Sequence, residues 1–347
     1  MAPPAIANLD WRGERLTLRP ATPADAPALT ALHREVGGEP PPGDPSPVEW
    51  FRTGGPWMHE HFCVRHIQAY RDLGWDCWVL ERDGEAIAGS VEVLYATEPE
   101  PFGRYAHLEI LELAEDLDVP EVEHWVLDQC EARARSRGFD RFWCRPVGSG
   151  GSWDVLAARG YTERWRNAWL TVGNLDRIEP PTVEAAPLDG AYDREASHLL
   201  ALDHRESAAY RWRYLWRPVL TPEASDFPTD VAFSGRSITL PGRPAANVLV
   251  TNWRWRDPEV AWADLYVNPS LAGDAAYVSD LVAVAARGAT ALGVRTLEVV
   301  VPEPLAPALR DRLDATVVPL ERADPWFLKE LRSSPCPFPV APPPAHP

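Results

Sequence analysis

A chain of 347 residues is long enough for about two domains, and 45% hydrophobic with 24% charged residues is the composition of a globular protein with a sizeable core. The net charge of −17 repels polyanions, so nucleic acid is not an expected partner. Five cysteines, odd in number and with no C-x-x-C pair, argue against a disulfide framework and a zinc knuckle and for a reducing cytoplasm; no apolar run reaches a membrane span, and the start MAPPAIANLDWRGER lacks the pattern of a secretory signal.

Residues 1–13 read as a loose tail. A short strand at 16–20 ends at Pro20, and a helix opens with Thr22 as N-cap and Pro23 in the first turn. The Pro/Gly-rich stretch 37–47 is a loop, and 50–73 reads as helical with one break at 54–56. His59, Cys63 and His66 share one face of that helix, a spacing that can chelate a metal, but no second cluster supplies further ligands and no metal is expected. Residues 77–81 and 86–95 form a hairpin whose turn carries Asp83-Gly84. A strand at 108–113, a helix at 121–137 stopped by Gly138, a strand at 139–147, a Gly/Ser loop at 147–152 and a short helix at 153–159 make a strand–helix–strand–helix unit. Such a unit requires a parallel strand pair. Residues 161–172 alternate and close this half near residue 175.

The stretch Glu131 to Arg137 followed by Gly138-Phe139-Asp140-Arg141, with Gly160-Tyr161 further on, resembles the acyl-CoA-binding half of the GNAT N-acetyltransferase family; so does the opening LTLRPATPADAPALTALH. The resemblance implies a mixed sheet whose fourth strand is followed by a glycine-rich loop and a helix N-terminus that hold a pyrophosphate. At that loop the sequence departs from the family. The motif positions fall on Asp118, Glu121 and Glu123, and Pro120 removes a backbone donor.

Beyond a linker at 176–187 the order of elements repeats. A helix is read at 191–210, a hairpin at 231–239 and 246–254, a strand at 261–267, a helix at 274–292 ended by Gly293, a buried strand at 296–301, a short helix at 304–313 and a last strand at 315–320. Gly138 and Gly293 lie about 155 residues apart, one domain length, as an internal duplication would place them. Residues 334–347 are a Pro-rich tail. Arg-Trp-Arg occurs at 164–166, 211–213 and 254–256, a pattern read as packing between the copies.

The expected fold is therefore α/β, with two tandem GNAT-like domains at 14–175 and 188–333. Each would be a mixed, mostly antiparallel sheet with a splayed parallel pair and helices on both faces. The resemblance implies transfer of an acyl group from acetyl-CoA or another acyl-CoA to the amine of a small molecule. The loop 269–276 is small and less acidic than its first-half counterpart, so the C-terminal half is the one expected to act. Its cofactor-contacting positions are Leu265, Val267, Gly273 and Ala275. Asp264 is the candidate base, and Tyr277 the candidate acid, because the family's tyrosine position falls on Arg310 here and on Leu156 in the first copy. Glu109 and Glu112, the first copy's strand carboxylates, are expected to matter little. The alternative is a degenerate pair that binds a small ligand or a protein without acyl transfer.

Overall fold

The computed structural model of the chain describes residues 4–36, 43, 49–50, 58–100, 102–144, 152–188, 199–202, 231–240, 243–253, 257–317 and 324–331. Most of the helix expected at 191–210, the Gly/Ser loop, two of the Arg-Trp-Arg triplets and the Pro-rich tail lie outside these residues. Two compact units emerge: one from residues 1–95, 104–164 and 326 onward, the other from 96–103 and 165–325.

The first unit opens with a strand where a tail was expected. β1 (Ala7–Trp11) pairs antiparallel with β2 (Glu14–Pro20), Ala7 opposite Leu18 and Trp11 opposite Glu14. Arg12 and Gly13 both adopt positive φ (51° and 91°), the two-residue turn whose twist suits a hairpin. Two helices follow, α1 (Ala26–Val36) and α2 (Glu60–Asp72). β3 (Asp76–Arg82) and β4 (Ala86–Glu98) form the expected hairpin, with positive φ at Asp83 and Gly84. β5 (Gly103–Leu113), α3 (Pro120–Ser136), β6 (Arg141–Cys144) and α4 (Ser152–Ala158) make the strand–helix–strand–helix unit. β5 and β6 are parallel from Tyr105 opposite Arg141 to Leu108 opposite Cys144. α3 ends as its glycine predicts. Gly138 sits at φ 77°, its N–H bonds to the Arg135 carbonyl, and Phe139 N–H reaches back to Ala134.

The second unit repeats this plan. β7 (Thr162–Val172), β8 (Ala186–Pro187), β9 (Leu200–Ala201), β10 (Val231–Leu240), β11 (Arg243–Trp253) and β12 (Val260–Val267) lead into α5 (Ala275–Ala291), β13 (Thr296–Pro302), α6 (Ala306–Leu313) and β14 (Thr316–Val317). β12 and β13 are parallel from Val260 opposite Thr296 to Ala263 opposite Val299. α5 closes with the same two bonds as α3, Gly293 to Thr290 and Val294 to Ala289. Alternate residues of β12 (Ala261, Ala263, Leu265 and Val267) form its core with Val278, Leu281, Val282 and Ala285 of α5.

Within the first unit the strands run β1-β2-β3-β4-β5-β6-β15, where β15 is Asp324–Glu330, and within the second β7-β13-β12-β11-β10-β8, with β14 on β7 and β9 on β12. The closing strands are exchanged. β7, expected to finish the first half, pairs with β13 of the second unit from Leu297 opposite Val172 to Pro302 opposite Asn167. β15 (Asp324–Glu330), a strand that the sequence does not announce, completes the first unit against β6, Phe327 opposite Cys144 and Glu330 opposite Arg141.

One buried carboxylate fastens β15. Glu131 of α3, 2% exposed, receives Lys329 Nζ on both oxygens at 2.8 Å, Arg159 at 2.8 and 3.1 Å, Arg135 at 2.8 Å and the Tyr161 hydroxyl at 3.1 Å. Burial alone would raise the pKa of this acid; the bonds from Lys329 and Arg159 outweigh it and hold the carboxylate below its usual range. Removing one member of such a cluster strands the others, so Glu131→Ala is expected to lower stability by about 3–5 kcal/mol in urea unfolding at neutral pH. Because the folded pKa is depressed, the wild-type advantage over Glu131→Gln is full above the unfolded value of about 4.3 and is lost as pH falls through the lower folded value. Equal stability of the two proteins at pH 7 would contradict this account.

Candidate active site

In the second unit, β12 runs on past its last parallel partner at Ala263. β11 occupies one edge of that extension, and β9 takes the other, Tyr266 opposite Ala201 and Val267 opposite Leu200. Leu202 N–H donates to the Leu265 carbonyl at 2.8 Å, and Leu199, Leu200, Ala201 and Leu202 are all buried. The strand positions expected to contact the cofactor, Leu265 and Val267, thus lie under the chain's own backbone. Gly273 is open, with nothing near where a Cβ would stand, and Ala275 begins α5. The N-terminus of α5 is already capped: Asp274 accepts from Ala276 N–H at 3.0 Å and from Tyr277 N–H at 3.1 Å. A carboxylate occupies the donors that a phosphate would use.

The structure does not bring Asp264 and Tyr277 together. Asp264 lies opposite Leu249 on β12, on the face that alternates away from the α5 core. Tyr277 packs against that core on the other side of the sheet. Burial, then Asp280, pushes its phenol up to about 12, and its hydroxyl has no hydrogen-bond partner among the described residues.

In the first unit, β5 continues from Glu109 to Leu113 beyond Leu108, which lies opposite Cys144, the last described residue of β6. Glu112 on this extension contacts His33 of α1, Nδ1 against Oε2. The His33 side chain is 3% exposed and that of Glu112 is 26%, so one member is locked in the core and the other reaches solvent. Gly89 of β4 lets that strand lie close to this part of β5, since a Cβ there would stand 2.9 Å from Leu113 Cδ2 and 3.2 Å from the Glu112 carbonyl. A second pair lies deeper on the same helix-covered face: His66 of α2 meets Glu92 of β4 at 2.7 Å, both wholly buried. Burial drives the His66 pKa down against the opposing pull of Glu92, which favours a neutral ring. Glu109 points elsewhere, towards His107 at 3.4 Å.

His33 escapes a reading for motifs because its partner lies 79 residues away. Its signal is position: with Ala26, Leu29 and Thr30 it occupies the buried stripe of α1, where an imidazole needs a partner. His59 caps α2, accepting from His61 N–H, while Cys63 and His66 turn inward. Among the described residues no three His, Cys, Asp or Glu side chains converge as a metal site. The described cysteines are buried and their thiols pushed up by burial, Cys63 to about 12, which leaves no thiolate nucleophile among them.

The acids before and within the first turn of α3 are less uniform in space than in sequence. Asp116 pairs with Arg82 at 2.6 Å and Glu123 is buried, whereas Glu115 and Glu121 are exposed. Val119 caps the helix without a side-chain bond, and Pro120 follows.

No protein-family model matches the sequence, and comparison with curated proteins finds no match. Solved structures do match. A GCN5-related N-acetyltransferase from Anabaena variabilis superposes with a TM-score of 0.57 at 12% identity, over 92% of this chain and 73% of that one. The chain has the tandem GNAT fold. A tandem GNAT protein from the clavulanic acid biosynthesis pathway matches over 92% of this chain and 99% of its own, with a TM-score of 0.53 at 14% identity. A GCN5-related N-acetyltransferase from Sphaerobacter thermophilus matches with a TM-score of 0.51 at 17% identity, over 92% and 96%. At these identities the likeness carries the GNAT architecture, and the strand–helix–strand pairs β5-α3-β6 and β12-α5-β13 are its two copies.

The separation of Asp264 from Tyr277 has a direct consequence. A buried hydroxyl without a partner contributes nothing to stability, so Tyr277→Phe is expected to leave the melting temperature unchanged or raise it, by at most about 1 kcal/mol of stability. A clear loss in thermal unfolding would reveal a hydrogen bond at that hydroxyl.

Proposed function

We propose that the chain is a GNAT-type N-acyltransferase, moving an acyl group from acetyl-CoA or another acyl-CoA to the amine of a small molecule, and that its first unit carries the chemistry. The observation behind this reading is the contact of Glu112 with His33 on the part of β5 beyond its described pairing with β6. An amine attacks only after losing its proton, and a carboxylate backed by an imidazole can take it. Glu112 is the exposed member and accepts the proton; His33, held in the core, fixes the carboxylate and spreads the charge. Acyl-CoA supplies the activated thioester carbonyl: the amine nitrogen bonds to it as the carbon–sulfur bond breaks, and CoA departs with its sulfur protonated, the proton coming from the amine by way of Glu112 or solvent. This revises the preference for the C-terminal half, whose strand edge is filled by Leu200-Ala201 and whose helix start is filled by Asp274.

Those same two features favour a second reading for the second unit alone: a copy that keeps the fold without taking the cofactor. Turnover separates the two. Glu112→Gln is expected to lower kcat about a hundredfold or more, and His33→Ala to follow it, while Asp264→Asn retains activity. A strong loss in Asp264→Asn with Glu112→Gln unaffected would return the chemistry to the second unit. No turnover by wild type across acyl-CoA donors and amines would leave the non-catalytic reading for the whole chain.

The acids before α3 add an expectation about affinity. Exposed Glu121 at the helix start repels a pyrophosphate, and screening weakens that repulsion. Glu121→Gln is therefore expected to tighten acetyl-CoA binding in calorimetry, more at low salt than at high. Weaker binding in the variant would mean that Glu121 contacts the ligand favourably.

A further inference from the structure

A cavity of about 470 Å³ opens in the first unit where β2 ends and β3 begins, between the C-terminal turns of α2 and α3. Its polar lining is Arg71, Arg133, Arg137 and Asp76, and its apolar lining includes Trp75, Trp78 and Ile67. In a chain of net charge −17 this is a local excess of guanidinium. The only acid of the lining is spent inwards. Asp76 accepts from the Tyr95 hydroxyl at 2.5 Å, from Arg133 Nε at 3.1 Å and Nη2 at 3.3 Å, and from Arg137 Nη1 at 3.5 Å.

One carboxylate cannot satisfy two guanidiniums, each with five donors. Arg137 also gives a bond to the Gly74 carbonyl at 2.5 Å and lies 3.9 Å over the Tyr95 ring. These contacts fix both side chains while leaving them 47% (Arg133) and 29% (Arg137) exposed. Arg71 is more exposed, its side chain at 70%, and meets the surface Asp72 at 3.8 Å. The result is a preorganised pair of forks above an indole-lined wall, the geometry that grips a carboxylate whose body is apolar.

We propose that this cavity is a binding site for a small organic anion, a carboxylate on an aromatic or apolar body, independent of the acyl-transfer site. It draws on none of Glu112, His33 or the start of α3.

Calorimetric titration of the full chain with benzoate, against benzamide as its neutral isostere, tests this. Saturable one-to-one binding of benzoate is expected, weaker at high salt, absent for benzamide and unaffected by saturating acetyl-CoA. Arg137→Gln, which leaves Asp76 with Arg133 and Tyr95, should weaken benzoate about tenfold or more, the worth of a charge-assisted bond. Ala21→Trp, which fills the cavity without changing charge, should abolish it; thermal melts of both variants report that they fold. Arg71→Gln gives a further reading if Arg137→Gln does not. No saturation by benzoate at millimolar concentration, equal binding of benzamide, or undiminished binding in folded Ala21→Trp would each overturn the site.

Discussion

Glu131 is an acid placed where an acid is expensive, and the first unit depends on its being satisfied there. Taking a carboxylate out of water costs several kcal/mol, recovered only when geometry and hydrogen bonds are good on every side. Here the recovery comes from Arg135 one turn along the same helix, from Arg159 and Tyr161 just past α4, and from Lys329, which is 198 residues distant. Every donor but one comes from outside α3. The carboxylate therefore acts as a checkpoint on assembly: it is tolerable only when α3, the turn after α4 and β15 have all arrived.

The two units show what happens to one architecture when its copies diverge. Each keeps the parallel pair, the helix between its strands and the glycine that ends that helix. The strand beyond the described parallel pairing differs. In the second unit four buried residues of the chain settle along β12, and Asp274 turns its side chain onto the first amides of α5. In the first unit the strand extension instead carries Glu112 and its imidazole partner. Fold and site are separable because the parallel strand pairing is all that the architecture requires.

Much of this was legible in the sequence, and the failures have a common cause. Helix ends were readable because glycine at positive φ is a local requirement, as at Gly138 and Gly293. The hairpin at Asp83-Gly84 was readable for the same reason. β15 was not, because nothing near Asp324–Glu330 shows that its partner is Cys144 and its neighbours. The alternation of β7 marks it as a strand, but its pairing with β13 is not in the sequence, since alternation specifies a strand and not its partner. The proposed site repeats this lesson. Glu112 was visible, but His33 was only one polar residue in a helix. Asp264 and Tyr277 are close in sequence, and the alternation of AWADLYV already placed Asp264 opposite the apolar face on which α5, and Tyr277 with it, must pack.

The exchanged strands set a timetable for synthesis. A ribosome that has released residues 1–164 has delivered nearly all of the first unit but not β15, which lies beyond the whole of the second. At about 5–20 residues per second the missing strand follows after roughly ten seconds or more, and β6 presents an unpaired edge throughout. Such an edge invites pairing with other chains. In chain order, everything the second unit needs to close on β7 precedes the strand β15 that finishes the first.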